Sequence, residues 1–197
     1  MNRAVVLFLR APVMGRVKTR LAADVGEERA LAVYRELLDI TTKAMAGTGA
    51  RSLCFLADGA VIPEVGLPDA TWHHQQGNDL GERMHRAFQK AFDAGHDRVL
   101  LIGSDLPHMR PELLERAFGV LAERDAVLGP AMDGGYYLLG LKRPHPLLFS
   151  DMPWSTDQVL ALTRERLQAA GSTWGELEAL RDVDDGDDLA AWEAEHR

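Results

Sequence analysis

The chain has 197 residues, 46% of them apolar and 26% charged, a composition that suits one folded domain and excludes a disordered or fibrous chain. It carries 22 Lys and Arg against 30 Asp and Glu, a net charge of -8 and a pI of about 5.3. That balance speaks against a nucleic-acid polymer as partner, while a small anion can still bind in a local basic pocket. Cys54 is the only cysteine and lies in an apolar run, so it is expected to be a small core residue in a reducing compartment. No run approaches the ~20 apolar residues of a membrane span. The N-terminal apolar stretch is too short for a signal-peptide core, so a soluble cytoplasmic protein is expected.

Short apolar runs alternate with longer helical patterns, which predicts an α/β fold around a mostly parallel sheet. A strand is expected over Ala4–Leu9, followed by a basic loop, and a helix over Glu27–Ala46, where Leu31, Tyr34, Leu37, Leu38, Thr41 and Met45 form a stripe at three- and four-residue spacing. Strands are expected at Ser52–Ala57 and near Thr71–His74, with a polar surface loop over Gly59–Asp69 between them. His73 and His74 would face opposite sides of a strand and are taken as structural. Helices follow at Asp79–Ala94 and Pro111–Ala122, the second opened by a proline suited to a first helical turn. Strands at Val99–Ile102, Ala126–Leu128 and Tyr136–Leu141 complete the sheet. A helix within Trp154–Ala170 would be capped by Ser155 or Thr156, and a short helix containing Leu189 and Trp192 closes the chain.

The segment RVLLIGSDLP, Arg98–Pro107, is the most informative: a buried strand delivers Asp105 to the sheet edge where open α/β sheets bind ligands. Asp105 is therefore a candidate metal ligand, and equally a candidate cap for the next helix. After the first strand, Arg10, Arg16, Lys18 and Arg20 fall within a loop that also holds Pro12 and Gly15. Such a loop can wrap phosphates with backbone N–H groups while its side chains neutralise their charge, or it can be a solvated connection. It lacks the Walker spacing and the dinucleotide fingerprint.

Asp133, Gly134, Gly135 and Tyr136 lie where two strands join, either as an acceptor or metal site or as a plain Asp-Gly hairpin turn. Trp154, Ser155 and Thr156 offer an aromatic ring and two hydroxyls at a helix start, suited to an anionic or sugar-like ligand or to capping. Asp79 and Arg83 belong to a polar stretch able to hydrogen-bond a nucleotide, with capping by Asn78 or Asp79 as the structural alternative. Asp182 and Asp184 share a face if extended, and with Asp105 could hold Mg²⁺ between phosphates, or they form part of a solvated acidic tail.

Taken in order, APVMGRVKTRL, QGNDLGERM, LIGSDLP, GPAMDGGYYLLGL, PWST and DVDDGDDL span nearly the whole chain. This set resembles the nucleotide-diphospho-sugar transferases of glycosyltransferase-A fold. More narrowly, it resembles the radical-SAM/selenodomain-associated transferases, relatives of phospholactate guanylyltransferase. The tail departs from the family pattern, with Asp185-Gly186 where Thr-Pro is usual.

The resemblance implies a single three-layer sandwich over residues 1–197 and a Mg²⁺- or Mn²⁺-dependent transferase. Its donor would be a nucleoside triphosphate or a nucleotide-sugar and its acceptor a small molecule, phosphorylated if nucleotidyl transfer is the reaction. A homodimer is allowed. Asp105 would be both metal ligand and catalytic, with Asp182 and Asp184 completing the cation site. Lys18 would be catalytic and, with Arg10, Pro12, Gly15, Arg16, Arg20, Asp79 and Arg83, would bind the nucleotide. Asp133, Gly134, Gly135, Tyr136, Trp154, Ser155 and Thr156 would face the acceptor. The alternative is a nucleotide- or ligand-binding domain of the same fold without catalysis.

Overall fold

The computed structural model describes residues 2–57 and 61–195. In chain order it contains β1 (Arg3–Leu9), α1 (Thr19–Val25), α2 (Glu27–Ala46), β2 (Arg51–Leu56), β3 (Thr71–His74), α3 (Leu80–Asp93) and β4 (Arg98–Ile102). There follow α4 (Pro111–Glu123), β5 (Ala126–Pro130), β6 (Tyr136–Leu141), α5 (Val159–Ala169), β7 (Trp174–Glu176) and α6 (Gly186–Glu195).

The strands form one sheet in the order β3-β2-β1-β4-β6-β5-β7. Only β6 runs against its neighbours, and every other pairing is parallel. Parallel strands are covered on both faces, which is why β1 and β4 are continuous apolar runs. Side chains alternate across the sheet, so Val5, Leu7 and Leu9 pack with Leu100 and Ile102 against α2 and α4. Ala4 and Val6, with Val99 and Leu101, pack the other way onto Met84, Ala87 and Phe88 of α3 and Leu160 and Leu167 of α5. A third cluster joins Leu21 of α1, Val33 and Leu37 of α2, and Val183, Leu189 and Trp192 of the C-terminal segment. It brings the acidic tail back beside the loop that leaves β1.

The expected strands form, as do the helices expected at Glu27–Ala46 and Pro111–Ala122, the second running one residue further to Glu123 with its Pro111 start kept. Cys54 is fully buried in β2, and burial pushes its thiol up to about 12. His73 packs its ring on Phe55 with centroids 4.9 Å apart, in keeping with a structural role. Of the loop read over Gly59–Asp69, residues 59 and 60 lie outside the described residues.

Three readings are corrected. The basic loop ends at Lys18, because Thr19–Val25 is a helix that buries Leu21. The helix expected after Trp154 begins only at Val159, and neither Ser155 nor Thr156 occupies its N-cap. The Thr156 hydroxyl instead donates to Pro153 O at 2.7 Å, closing a turn before the helix. Trp174–Glu176 adds an edge strand to β5 that three residues are too few to signal. No helix among the described residues is long and apolar enough to cross a membrane.

Candidate functional site

Parallel β1, β2, β3 and β4 all end at one edge of the sheet, and the β5–β6 hairpin turns there as well. Beyond β4 the chain leaves regular structure through Gly103, Ser104 and Asp105. The next helix, α4, starts at Pro111 with Arg110 before it, so Asp105 does not cap it. The Asp105 carboxylate is 43% exposed and faces the crevice.

The first loop is fixed at both ends. The buried Tyr34 hydroxyl of α2 accepts from Arg10 N and donates to Arg10 O, both at 2.9 Å, and Ser104 Oγ donates to it at 3.4 Å. One phenol on the buried stripe of α2 thus ties the start of the loop to the end of β4. At the other end, Lys18 takes a left-handed backbone at φ 47° and ψ 49°, a costly state for a residue with a Cβ. Its side chain is only 5% exposed, and Nζ lies 2.7 Å from Asp105 Oδ1 and 2.9 Å from Asp184 Oδ1. Burial alone would pull this ammonium down, but the carboxylates of Asp105 and Asp184 outweigh it and leave it above its ordinary value.

Asp184 arrives from the other end of the chain. Val183 is buried against α1 and α2, and its N–H donates to Asp105 O at 3.1 Å. Its neighbours Asp182 and Asp184 consequently both look into the crevice, as alternation on an extended segment requires. The altered tail is held by its own residues. Asp185 Oδ1 accepts from the N–H groups of Asp187 and Asp188 at 3.1 and 3.0 Å, capping α6. Gly186 donates its N–H to Asp24 Oδ2 at 2.9 Å, a bond that a proline at this position could not make.

Asp182 is the unsatisfied member. Its Oδ1 is shut off from solvent and has no hydrogen-bond partner. Burial, reinforced by the charges of Asp105 and Asp184, pushes its carboxyl up to about 7. Native proteins rarely leave such an atom unpaired without a functional reason. Among the described residues, no three acidic or imidazole side chains are grouped as a ready-made metal cage. The Lys18 ammonium bridges Asp105 and Asp184.

The opposite wall is built from the hairpin and the segment before α5. Asp133 Oδ1 accepts from Gly135 N at 2.9 Å, so the Asp-Gly turn is present as a turn. Gly134 has φ +89°, and a Cβ there would lie 2.3 Å from Asp157 O, so only glycine fits. Its carbonyl accepts from Leu160 N at 2.9 Å, locking the hairpin onto α5. The Trp154 indole packs so closely on α3 that a Cβ on Gly81 would come within 2.5 Å of its Nε1.

Together these walls enclose a cleft of about 660 Å³. Of the residues singled out in the sequence, it brings together Arg10, Lys18, Arg20 and Arg83 with Asp105, Asp182 and Asp184. On the other wall it gathers Asp133, Gly135, Tyr136, Trp154, Ser155 and Thr156. Pro12, Gly15, Arg16, Asp79 and Gly134 do not line it. Asp79 caps α3 by accepting from Glu82 N at 2.8 Å, Gly15 makes a turn at φ +73°, and Pro12 faces a separate shallow hollow beside Arg35 and Glu64. The cleft also takes in Tyr34 and Gln75, which no motif marked, and Ser104, which belongs to LIGSDLP but was not singled out. Gln75 continues β3 past its last residue, donating its N–H to Leu56 O and its carboxamide to Phe55 O.

The fold is that of the nucleotide-diphospho-sugar transferases, a glycosyltransferase-A-like architecture. A protein from Desulfovibrio desulfuricans G20, provisionally named a nucleotide-diphospho-sugar transferase, is 34% identical over 100% of this chain and 89% of its own, with a TM-score of 0.92. More distant structures share the fold. The manganese complex of Rv0371c from Mycobacterium tuberculosis H37Rv is 16% identical over 97% of each chain with a TM-score of 0.59. The CTP complex of CMP:2-keto-3-deoxy-manno-octonic acid synthetase is 13% identical over 100% of each chain with a TM-score of 0.57. Residues 40–156 match the family described as uncharacterized protein conserved in bacteria, DUF2064, and the chain belongs to that family. No curated protein matches it.

Proposed function

We propose that this protein is a divalent-metal-dependent transferase that takes a nucleotide-activated donor and passes part of it to a small acceptor. The observation that carries this reading is the meeting of Asp105, Asp182 and Asp184, from two distant stretches of chain, beside Lys18 in one cleft. These acids fit a hard cation: the donor set is all oxygen, as Mg²⁺ and Mn²⁺ favour, and Asp182 Oδ1 is a buried acceptor still without a partner. A cation held by them would neutralise charge on the donor phosphates. The manganese and CTP complexes of the fold neighbours support this reading.

The chain's own groups supply the rest. Lys18 and Arg20 face the cleft and would stabilise the negative charge that builds as the leaving group departs. Arg10, with its backbone held by Tyr34, would bound the phosphate end of the cleft. Asp133, Tyr136, Trp154, Ser155 and Thr156 would orient the acceptor, the ring offering a flat apolar face and the carboxylate and hydroxyls offering hydrogen bonds. No covalent nucleophile is needed.

Nucleotidyl transfer from a triphosphate is the first reading, because Arg10, Lys18, Arg20 and Arg83 all line the cleft that holds the acids. Glycosyl transfer from a nucleotide-sugar is the second, favoured by the name of the 34% identical relative. The narrower kinship with radical-SAM/selenodomain-associated transferases and phospholactate guanylyltransferase, the single domain and the cytoplasmic setting belong to the same proposal.

The test is a paired assay with Mg²⁺ or Mn²⁺ and a panel of small acceptors. Pyrophosphate release from a triphosphate supports nucleotidyl transfer, and nucleoside diphosphate release from a nucleotide-sugar supports glycosyl transfer. If neither product forms with any acceptor while nucleotide and metal together still raise the melting temperature, the chain is a binding domain. If nothing shifts the melting curve, the reading fails.

A further inference from the structure

Building on the metal reading above, we propose that the Lys18 ammonium is a built-in occupant of the cation site, which a divalent ion must displace before it binds. The geometry is specific to this lysine. Nζ reaches one oxygen of Asp105 and one of Asp184, at 2.7 and 2.9 Å, and it is almost wholly buried although both carboxylates are more than 40% exposed. It therefore sits on the inner side of the acids, in the cleft that also holds Asp182, whose Oδ1 is buried without a partner. The left-handed backbone at Lys18, directly before α1, sets where the side chain starts and holds it over the acids.

A divalent ion ligated by Asp105 and Asp184 and an ammonium bonded to the same two carboxylates repel each other at short range, where their separation is well inside the screening length of salt. The two occupants compete. A displaced ammonium needs another anion, and the lysine stem is flexible enough to swing toward the Arg20 side of the cleft, where donor phosphates would lie. Displacement thus couples the cation to the nucleotide: each makes room for the other, and linkage requires the coupling to be reciprocal. Lys18 then has two roles at different stages, as counter-ion to the acids before loading and as phosphate ligand afterwards.

The first measurement is Mn²⁺ binding with no nucleotide present, read from the electron paramagnetic resonance of free Mn²⁺, for the wild type, Lys18→Met, Lys18→Gln and Arg20→Met. Melting curves establish that each variant is folded. Arg20→Met removes one positive charge from the same cleft without touching Asp105 or Asp184, and so measures the general charge effect. The expected result is that both Lys18 variants bind Mn²⁺ about tenfold or more tightly than the wild type, while Arg20→Met gains far less.

The second measurement needs no variant: amine labelling of the wild type, read by mass spectrometry, should rise at Lys18 when Mn²⁺ is added and stay constant at Lys43, Lys90 and Lys142. Lys18 variants that gain no more than Arg20→Met, or Lys18 labelling that saturating Mn²⁺ leaves unchanged, would overturn the displacement while leaving the metal site standing. Failure of every protein to bind Mn²⁺ would overturn the metal reading, and this inference with it.

Discussion

Where the parallel strands begin, the charged side chains are paired, although His96 Nδ1 just before β4 is buried without a partner. Arg3 donates to Glu115 Oε2 at 2.6 Å and to Thr48 O at 2.7 Å, and its guanidinium lies 4.6 Å from the centre of the Phe118 ring. Asp125 accepts from both the N–H and the hydroxyl of Thr173 at 2.8 Å, tying the start of β5 to β7. Where the strands end, the opposite holds. Two carboxylates share one buried ammonium, and an oxygen of a third carboxylate is sealed off with no partner. Arg3 and Asp125 at the first edge hold the fold together, whereas Asp182 at the second opposes it, because a desolvated polar atom without a bond costs stability. A fold keeps such an arrangement where the chemistry of a ligand requires it.

Substitutions at the two edges should therefore act differently. The largest effect is expected from Asp105→Ala, which removes one partner of Lys18 and a candidate cation ligand. Turnover in the transfer assay should fall about 10²-fold or more, with metal-dependent nucleotide binding lost and the fold retained. Unchanged binding would show that the cleft edge has no such role. Next comes Asp182→Asn, which replaces a crowded carboxyl with a neutral amide. The ligand-free protein should gain about 1 kcal/mol in urea unfolding while its affinity for Mn²⁺ falls. A variant that loses stability would mean that Asp182 is a structural acid.

The smallest effect is expected at the other edge, from Asp125→Asn, at about 1 kcal/mol of lost stability with nucleotide binding unaltered. The N–H and hydroxyl of Thr173 hold the Asp125 carboxyl below its ordinary value of 3.8. The folded protein therefore binds this proton more weakly than the unfolded chain does. Its contribution is present above about pH 4 and fades as pH falls through the folded value. The difference between wild type and Asp125→Asn should accordingly be visible at pH 7 and close in strong acid.

Much of the fold was legible because its signals are local. The runs at Ala4–Leu9 and Val99–Ile102 could be little other than buried strands, and the stripe through Leu31, Tyr34 and Leu38 marked α2. Short elements were not legible: α1 buries only Leu21, and β7 is three residues held by its pairing to β5. At the site, motif membership identified Lys18, Asp105 and Asp184, but it also swept in Pro12, Gly15, Arg16 and Asp79, which shape turns and caps around the cleft. Tyr34 was visible only as core, since its hydroxyl acquires a task only when the fold sets Arg10 and Ser104 beside it. Nor could spacing reveal that the tail returns to β4, because that depends on Val183, Leu189 and Trp192 packing on α1 and α2.

The central claim is that acids from the end of β4 and from the C-terminal segment form one cation site with the first loop. Anomalous diffraction from a crystal grown with Mn²⁺ and a nucleoside triphosphate tests it most directly. The account predicts a Mn²⁺ peak in coordination contact with Asp105 and with Asp182 or Asp184, the nucleotide phosphates lying toward Lys18 and Arg20. A Mn²⁺ peak bound elsewhere, with Asp105 still paired to Lys18 and the phosphates away from the first loop, would contradict it.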